Sequence, residues 1–106
     1  MNEWKIEYIK EAVDDLKKLD HSVQIQVLKA IRKTALNPLP ATEGGLGKPL
    51  GNHTMSKLSG YCKIKLRKAG IRVVYRTIKQ DGIMKIIIIS VRDDETVYKL
   101  AEQRIH

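Results

Sequence analysis

Phenylalanine is absent from this 106-residue chain, and its aromatics are limited to Trp4, Tyr8, Tyr61, Tyr75 and Tyr98. The core must therefore be built mainly from aliphatic side chains. Cys62 stands alone, which excludes an intrachain disulfide and any zinc site made of several cysteines. No apolar run approaches the roughly 20 residues of a membrane span. The opening Met1-Asn2-Glu3-Trp4-Lys5 lacks the basic-then-apolar layout of a signal peptide, so a cytoplasmic protein with no membrane partner is expected. His21, His53 and His106 show no ligand spacing, and no metal site is expected from them. Gly47-Lys48 does not end a phosphate loop, because Thr42 stands where the leading glycine belongs and Pro49 where a magnesium-binding hydroxyl belongs.

What is present reads as one globular domain over residues 1–106, with 42% hydrophobic and 30% charged residues. The net charge of +8 is unevenly placed. Residues 1–40 carry seven basic and six acidic groups, and residues 81–106 carry four and five. Between them, Lys57, Lys63, Lys65, Arg67, Lys68, Arg72, Arg76 and Lys79 stand in a stretch with no acid. Charge focused in this way points to a polyanionic partner, nucleic acid first.

Trp4, Ile6 and Tyr8 alternate with charged residues, the period of a half-buried strand. From Ile9 the period becomes helical, with Ala12, Val13 and Leu16 on the same face. Asp20-His21-Ser22 offers capping side chains for a second helix carrying Val23, Val27, Leu28, Ile31 and Ala35, which Asn37-Pro38 ends. So short a link predicts a hairpin of helices. Residues 37–60 hold all three prolines and five of the seven glycines and read as a long irregular connection. Lys57–Leu66 leads into a strand, Ile71–Ile78 forms the next, and Lys68-Ala69-Gly70 turns between them. Their apolar sets are even-numbered and odd-numbered respectively, so antiparallel pairs must have odd sums, such as Leu66 with Ile71. That parity puts Lys63, Lys65, Arg67, Arg72 and Arg76 on one face. After the turn at Asp81-Gly82, Met84–Val91 is too apolar for an edge strand. Asp93-Asp94-Glu95 suits a helix start better than a metal cluster, and either aspartate can cap a last helix bearing Val97, Leu100, Ala101 and Ile105. The predicted fold is α+β in the order β-α-α-β-β-β-α, a helical hairpin on a small, mainly antiparallel sheet.

From Tyr61 to Tyr98 the chain carries Lys63-Ile64-Lys65-Leu66-Arg67, Gly70, Arg72-Val73-Val74-Tyr75, Ile89-Ser90-Val91, Arg92 and Val97-Tyr98. In this order and spacing it resembles the RelE toxins of the RelE/ParE superfamily of toxin–antitoxin proteins. The resemblance implies a ribosome-dependent mRNA endonuclease, in which an RNA 2′-hydroxyl attacks the adjacent phosphorus without metal or organic cofactor. It also implies a RelB-like antitoxin as partner, beside mRNA in the ribosomal A site. On matching positions, Lys63 and Lys65 contact RNA and assist deprotonation or charge stabilisation. Arg72 takes the scissile phosphate, Arg92 stabilises the phosphate or leaving group, and Tyr98 orients the substrate. Arg92 follows Val91 directly, where RelE-type chains commonly carry one or two further residues.

Elementary chemistry supports such a set. Phosphoryl transfer needs positioned positive charge, and the planar arginine fork matches two phosphate oxygens. A lysine crowded by cations, as Lys65 is by Arg67 and Arg72, is a reasonable base. Arg67, Lys68 and Arg76 suit phosphate steering, while Cys62 suits ordinary packing. Two other readings stand beside this one: a ParE-like toxin that inhibits gyrase without cutting RNA, and a non-enzymatic nucleic-acid-binding module.

Overall fold

The computed structural model describes residues 4–50, 60–91 and 93–105. Arg92 and Lys57, together with His53 and His106, lie outside them.

The chain runs β1 (Lys5–Tyr8), α1 (Lys10–Lys17), α2 (His21–Thr34), β2 (Lys48–Pro49), β3 (Tyr61–Leu66), β4 (Ile71–Ile78), β5 (Ile83–Ser90) and α3 (Asp94–Arg104). The strands form a single sheet in the order β1-β5-β4-β3-β2, parallel between β1 and β5 and antiparallel elsewhere. The strand Lys48–Pro49 is an addition to the predicted order, since two residues carry no readable period. Its proline sits on the sheet edge, where a missing N–H is tolerated. As expected, β5 is interior, flanked by β1 and β4.

Hairpin parity sets the register: Leu66 faces Ile71, Ile64 faces Val73, and Lys65 faces Arg72. On β5 strict alternation fails. Val74 pairs with Ile88 and Tyr75 with Ile86, so Ile87 is the extra residue of a bulge. Ile86 and Ile89 consequently join one core cluster, while Ile87 and Ile88 join the other. The bulge shifts the alternation, so that Ile86 shares a face with Ile89 and Ile87 with Ile88.

The first cluster lies under α1 and α2 and includes Ala12, Val27, Ile31, Val73, Tyr75, Met84 and Ile86, each fully buried. Asp20 occupies the N-cap position of α2, but its side chain makes no capping hydrogen bond, contrary to the sequence expectation. Residues 37–47 fold against this layer. The Tyr75 hydroxyl donates to the Pro38 carbonyl at 2.7 Å, and Gly47 passes so close that an added Cβ would stand 2.3 Å from the Tyr75 oxygen. Burial pushes the Tyr75 hydroxyl and the Cys62 thiol up from their ordinary values, and Cys62 is a packing residue.

Among the described residues, the opposite face is covered by α3, with Leu50 packed into the same cluster. Asp93 caps this helix as expected, accepting from the Thr96 N–H at 2.9 Å. Val97 and Ala101 pack with Val74, Ile87 and Ile88. At the far end, Arg104 donates to both oxygens of Asp15 at 2.6 and 3.1 Å and to the Ile87 carbonyl at 3.0 Å. Asp15 also accepts from the Ile89 N–H at 3.0 Å. An ion pair between α1 and α3 thus satisfies backbone groups of β5 beyond the point where β1 pairing stops at Ile86.

Candidate nucleic-acid interface

The basic face is a grid set by strand register. Its first row is Lys65, Arg72 and Ser90 across β3, β4 and β5. Lys65, Arg67 and Arg72 line a shallow cleft of about 220 Å³ with Leu66, Gly70 and Ile71, and no acidic side chain lines it among the described residues. Arg67 is exposed in the turn after β3, and Lys68 is exposed beside it. Gly70, with φ of +67°, permits this tight turn and so holds the two strands in register.

The second row is Lys48, Lys63, Val74 and Ile88. It lies beneath α3, and Val74 is fully buried. Lys63 Nζ donates to Tyr98 Oη at 3.1 Å, and the same nitrogen is 5.9 Å from the ring centroid. The two distances together put the ammonium out along the C–O bond, so the contact is a hydrogen bond and not a cation over a ring face. Tyr98 itself is only 7% exposed. The resemblance gives Tyr98 to orienting the substrate, and in the fold its side chain is part of the α3 packing. Lys48, within the stretch whose composition predicts an irregular connection, joins this row because β2 forms.

The third row is Tyr61, Arg76 and Lys85. Arg76 stands four residues beyond Arg72, roughly 13 Å along the strand at about 3.3 Å per residue. It is on the predicted face but is not brought together with Lys65 and Arg72, because α3 covers the row between them. Lys79 is paired with Glu43, so the acid-free stretch is locally neutralised by the preceding loop.

The sequence reading missed one acidic neighbour. The Asp93 carboxyl is held below the usual carboxylate range, first by the Thr96 N–H, then by the Thr96 hydroxyl, with Arg72 adding to the effect. Asp93 therefore caps α3 and places negative charge near the arginine expected to take phosphate. Its position three residues after Ser90, the register partner of Arg72, was the available signal. Among the described residues, no group of three His, Cys, Asp or Glu side chains gathers to hold a metal ion.

A family profile described as the ParE toxin of the type II toxin–antitoxin system, parDE, matches residues 6–98. The chain belongs to the RelE/ParE superfamily of type II toxins. An Escherichia coli protein described as a RelE-like toxin is 27% identical over 103 residues, spanning 96% of this chain and 97% of its own length. Free E. coli RelE, in an arginine-substituted form, superposes with a TM-score of 0.75 at 22% identity, covering 99% of this chain and 100% of its own. The same toxin bound to a peptide of its antitoxin RelB gives a TM-score of 0.68 at 22% identity, with 99% and 100% coverage. At these identities the structures establish the α+β fold. The RelE/ParE sheet is thus the frame on which the Lys65–Arg72 row is displayed.

Proposed function

We propose that this toxin is a metal-independent endoribonuclease that cleaves mRNA in the ribosomal A site. The observation carrying this reading is the cross-strand pair Lys65 and Arg72, set side by side in one cleft that no acidic side chain lines among the described residues. Lys65 takes the proton of the attacking 2′-hydroxyl. The Arg72 fork spans the non-bridging oxygens as the O2′–P bond forms and the P–O5′ bond breaks, leaving a cyclic phosphate and a 5′-hydroxyl. The departing O5′ takes its proton from solvent water, and Arg92 corresponds to the family position assigned to stabilising that end. Lys63, bonded to Tyr98, anchors the adjoining phosphate, and Arg67 and Lys68 steer the strand. A shallow cleft orients RNA poorly, so the ribosome must hold the codon in attack geometry. The reading also includes a cytoplasmic location and a RelB-like antitoxin whose carboxylates neutralise the basic face.

The test incubates purified protein with mRNA alone and with a programmed ribosome whose A site is vacant. Cleavage should require the ribosome, and Arg72→Ala should lower its rate by about 10²–10³. Arg72→Lys should restore it in part, because a point charge does not replace the fork. Equal cleavage of free mRNA would overturn the ribosome requirement, and an unimpaired Arg72→Ala variant would overturn the clamp.

Two observations favour a second reading, a ParE-like toxin acting on gyrase without cutting RNA. The matching family profile is that of ParE, and Tyr98 is buried in the packing of α3. Loss of gyrase supercoiling activity, with mRNA intact on the ribosome, would select it.

A further inference from the structure

The ion pair between Asp15 on α1 and Arg104 at the end of α3 takes no part in the cleavage chemistry above. Its side chains are largely buried, 12% and 18% exposed. It also bonds β5 at two backbone points: Arg104 donates to the Ile87 carbonyl at 3.0 Å, and Asp15 accepts from the Ile89 N–H at 3.0 Å. Ile87 is the extra residue of the β5 bulge. We infer that the Asp15–Arg104 pair is a positioning device that pins this bulge, and that the bulge sets Ser90 beside Arg72 in the row offered to phosphate. Its effect on cleavage rests on the nuclease reading above, while its hold on the register does not.

A pin is needed because the apolar pattern leaves this stretch undecided. A one-residue slip turns each side chain of a strand to the other face, and an alternating pattern normally forbids it. Ile86 to Ile89 do not alternate, so a slip there exchanges one isoleucine for another. Without the bulge, pairing would run on from Tyr75 and Ile86 to Val74 with Ile87, Val73 with Ile88 and Arg72 with Ile89. Ile89 would then stand beside Arg72, and Ser90 would turn to the face of Ile71. With the bulge, Arg72 faces Ser90, a short side chain where an isoleucine would crowd the guanidinium. Bulges next to functional sites commonly re-aim side chains in this way.

Stability alone does not account for the pair. Taking a carboxylate and a guanidinium out of water costs much of what their attraction returns, and the best-attested use of such groups is to fix a register. The placement suits that use. The two backbone bonds begin where β1 pairing stops, at Ile86. Because α1 packs on one face of the sheet and α3 on the other, the pair holds β5 from both sides.

The test compares the wild type with Arg104→Gln, Arg104→Lys and Ile31→Ala, the last weakening the closed core at a residue outside the row. Nuclear Overhauser contacts between backbone protons report the register, and kcat and KM for mRNA on programmed ribosomes report the chemistry. In the wild type and Ile31→Ala, the cross-strand partner of Arg72 should be Ser90. In Arg104→Gln a second set of contacts should join Arg72 to Ile89. Its kcat should fall by about 10- to 100-fold with KM near the wild-type value, because a small misplacement acts on attack geometry. Arg104→Lys keeps the charge but not the fork, and should lie between; if the glutamine variant does not fold, the lysine variant is read in the same way. An Arg104→Gln protein that keeps only the Arg72–Ser90 contact would overturn the pin. A shifted register with unchanged kcat would overturn its role in positioning, and an equal fall of kcat in Ile31→Ala would reduce it to general stability. Should the wild type leave mRNA intact on the ribosome, the nuclease reading fails, and the backbone contacts still decide whether the pair sets the register.

Discussion

The two faces of the sheet differ in how they are closed. Under α1 and α2 lie Val27, Ile31, Val73, Tyr75, Met84 and Ile86, all inaccessible to solvent. Among the described residues the other face has one helix, which covers the middle row and leaves cationic rows on both sides. One strand pair serves both faces because β-strand side chains alternate. Ile71, Val73 and Tyr75 build the closed core, while Arg72 and Arg76 emerge between them. The closed core and the basic face are therefore built by neighbouring residues of one strand, which lets Arg72 be changed without opening the core.

The sharpest way to break this division is to damage the closed face alone. Ile31→Ala removes a fully buried side chain from α2, and truncations of this kind cost about 2–5 kcal/mol. Urea unfolding should show the midpoint falling by that amount for the whole domain. Ile105→Ala, on a partly exposed residue just past α3, should chiefly raise amide exchange in α3 with little change in the global midpoint. Equal global losses from both substitutions would mean that the two faces do not differ in this way.

A smaller effect is expected at the seam between the closed core and the loop. Tyr75→Phe keeps the ring but removes the donor to the buried Pro38 carbonyl, a loss of about 1–3 kcal/mol. The unfolding midpoint should drop accordingly, with exchange rising first in residues 37–47. The open face should be untouched, so RNA binding by the folded variant should match the wild type. A change in RNA binding would show that the loop communicates with the basic rows.

How far the sequence foretold this arrangement depends on periodicity. The β3–β4 register was legible because two alternating strands joined by a short turn allow one parity, and Leu66 does face Ile71. The Asp93 cap was legible because a helix start favours an acceptor side chain. The bulge at Ile87 was not, since four isoleucines in a row carry no alternation. Nor was the separation of Arg76 from Arg72. Both sit on the predicted face, but which row α3 covers is decided by Val97, Tyr98 and Ala101 packing on Val74 and Ile88. The resemblance to RelE toxins gives Tyr98 to the substrate, whereas it is the packing of the last helix that buries it. The Arg104–Asp15 pair joins residues far apart in the chain, and no local pattern announces it.

The smallest expected effect lies where the cap of α3 meets the cationic row. Asparagine caps a helix about as well as aspartate, so Asp93→Asn should keep the hydrogen bond from the Thr96 N–H while removing a negative charge felt by Arg72. Affinity for a short RNA should rise by about two- to threefold at low salt and revert as salt is added, because an exposed charge is readily screened. The same carboxyl gives α3 an acid-dependent hold. Its value in the folded protein is lowered, so the unfolded chain binds the proton more tightly. The stabilisation is complete above the ordinary carboxylate value and is lost as pH falls through the lowered folded value. In the wild type the Thr96 amide resonance should therefore move with pH below the usual carboxylate range, and in Asp93→Asn this movement should vanish. A wild-type midpoint at the ordinary aspartate value would remove the cap as its cause. An RNA affinity identical in the two proteins would mean that the charge of Asp93 does not reach Arg72.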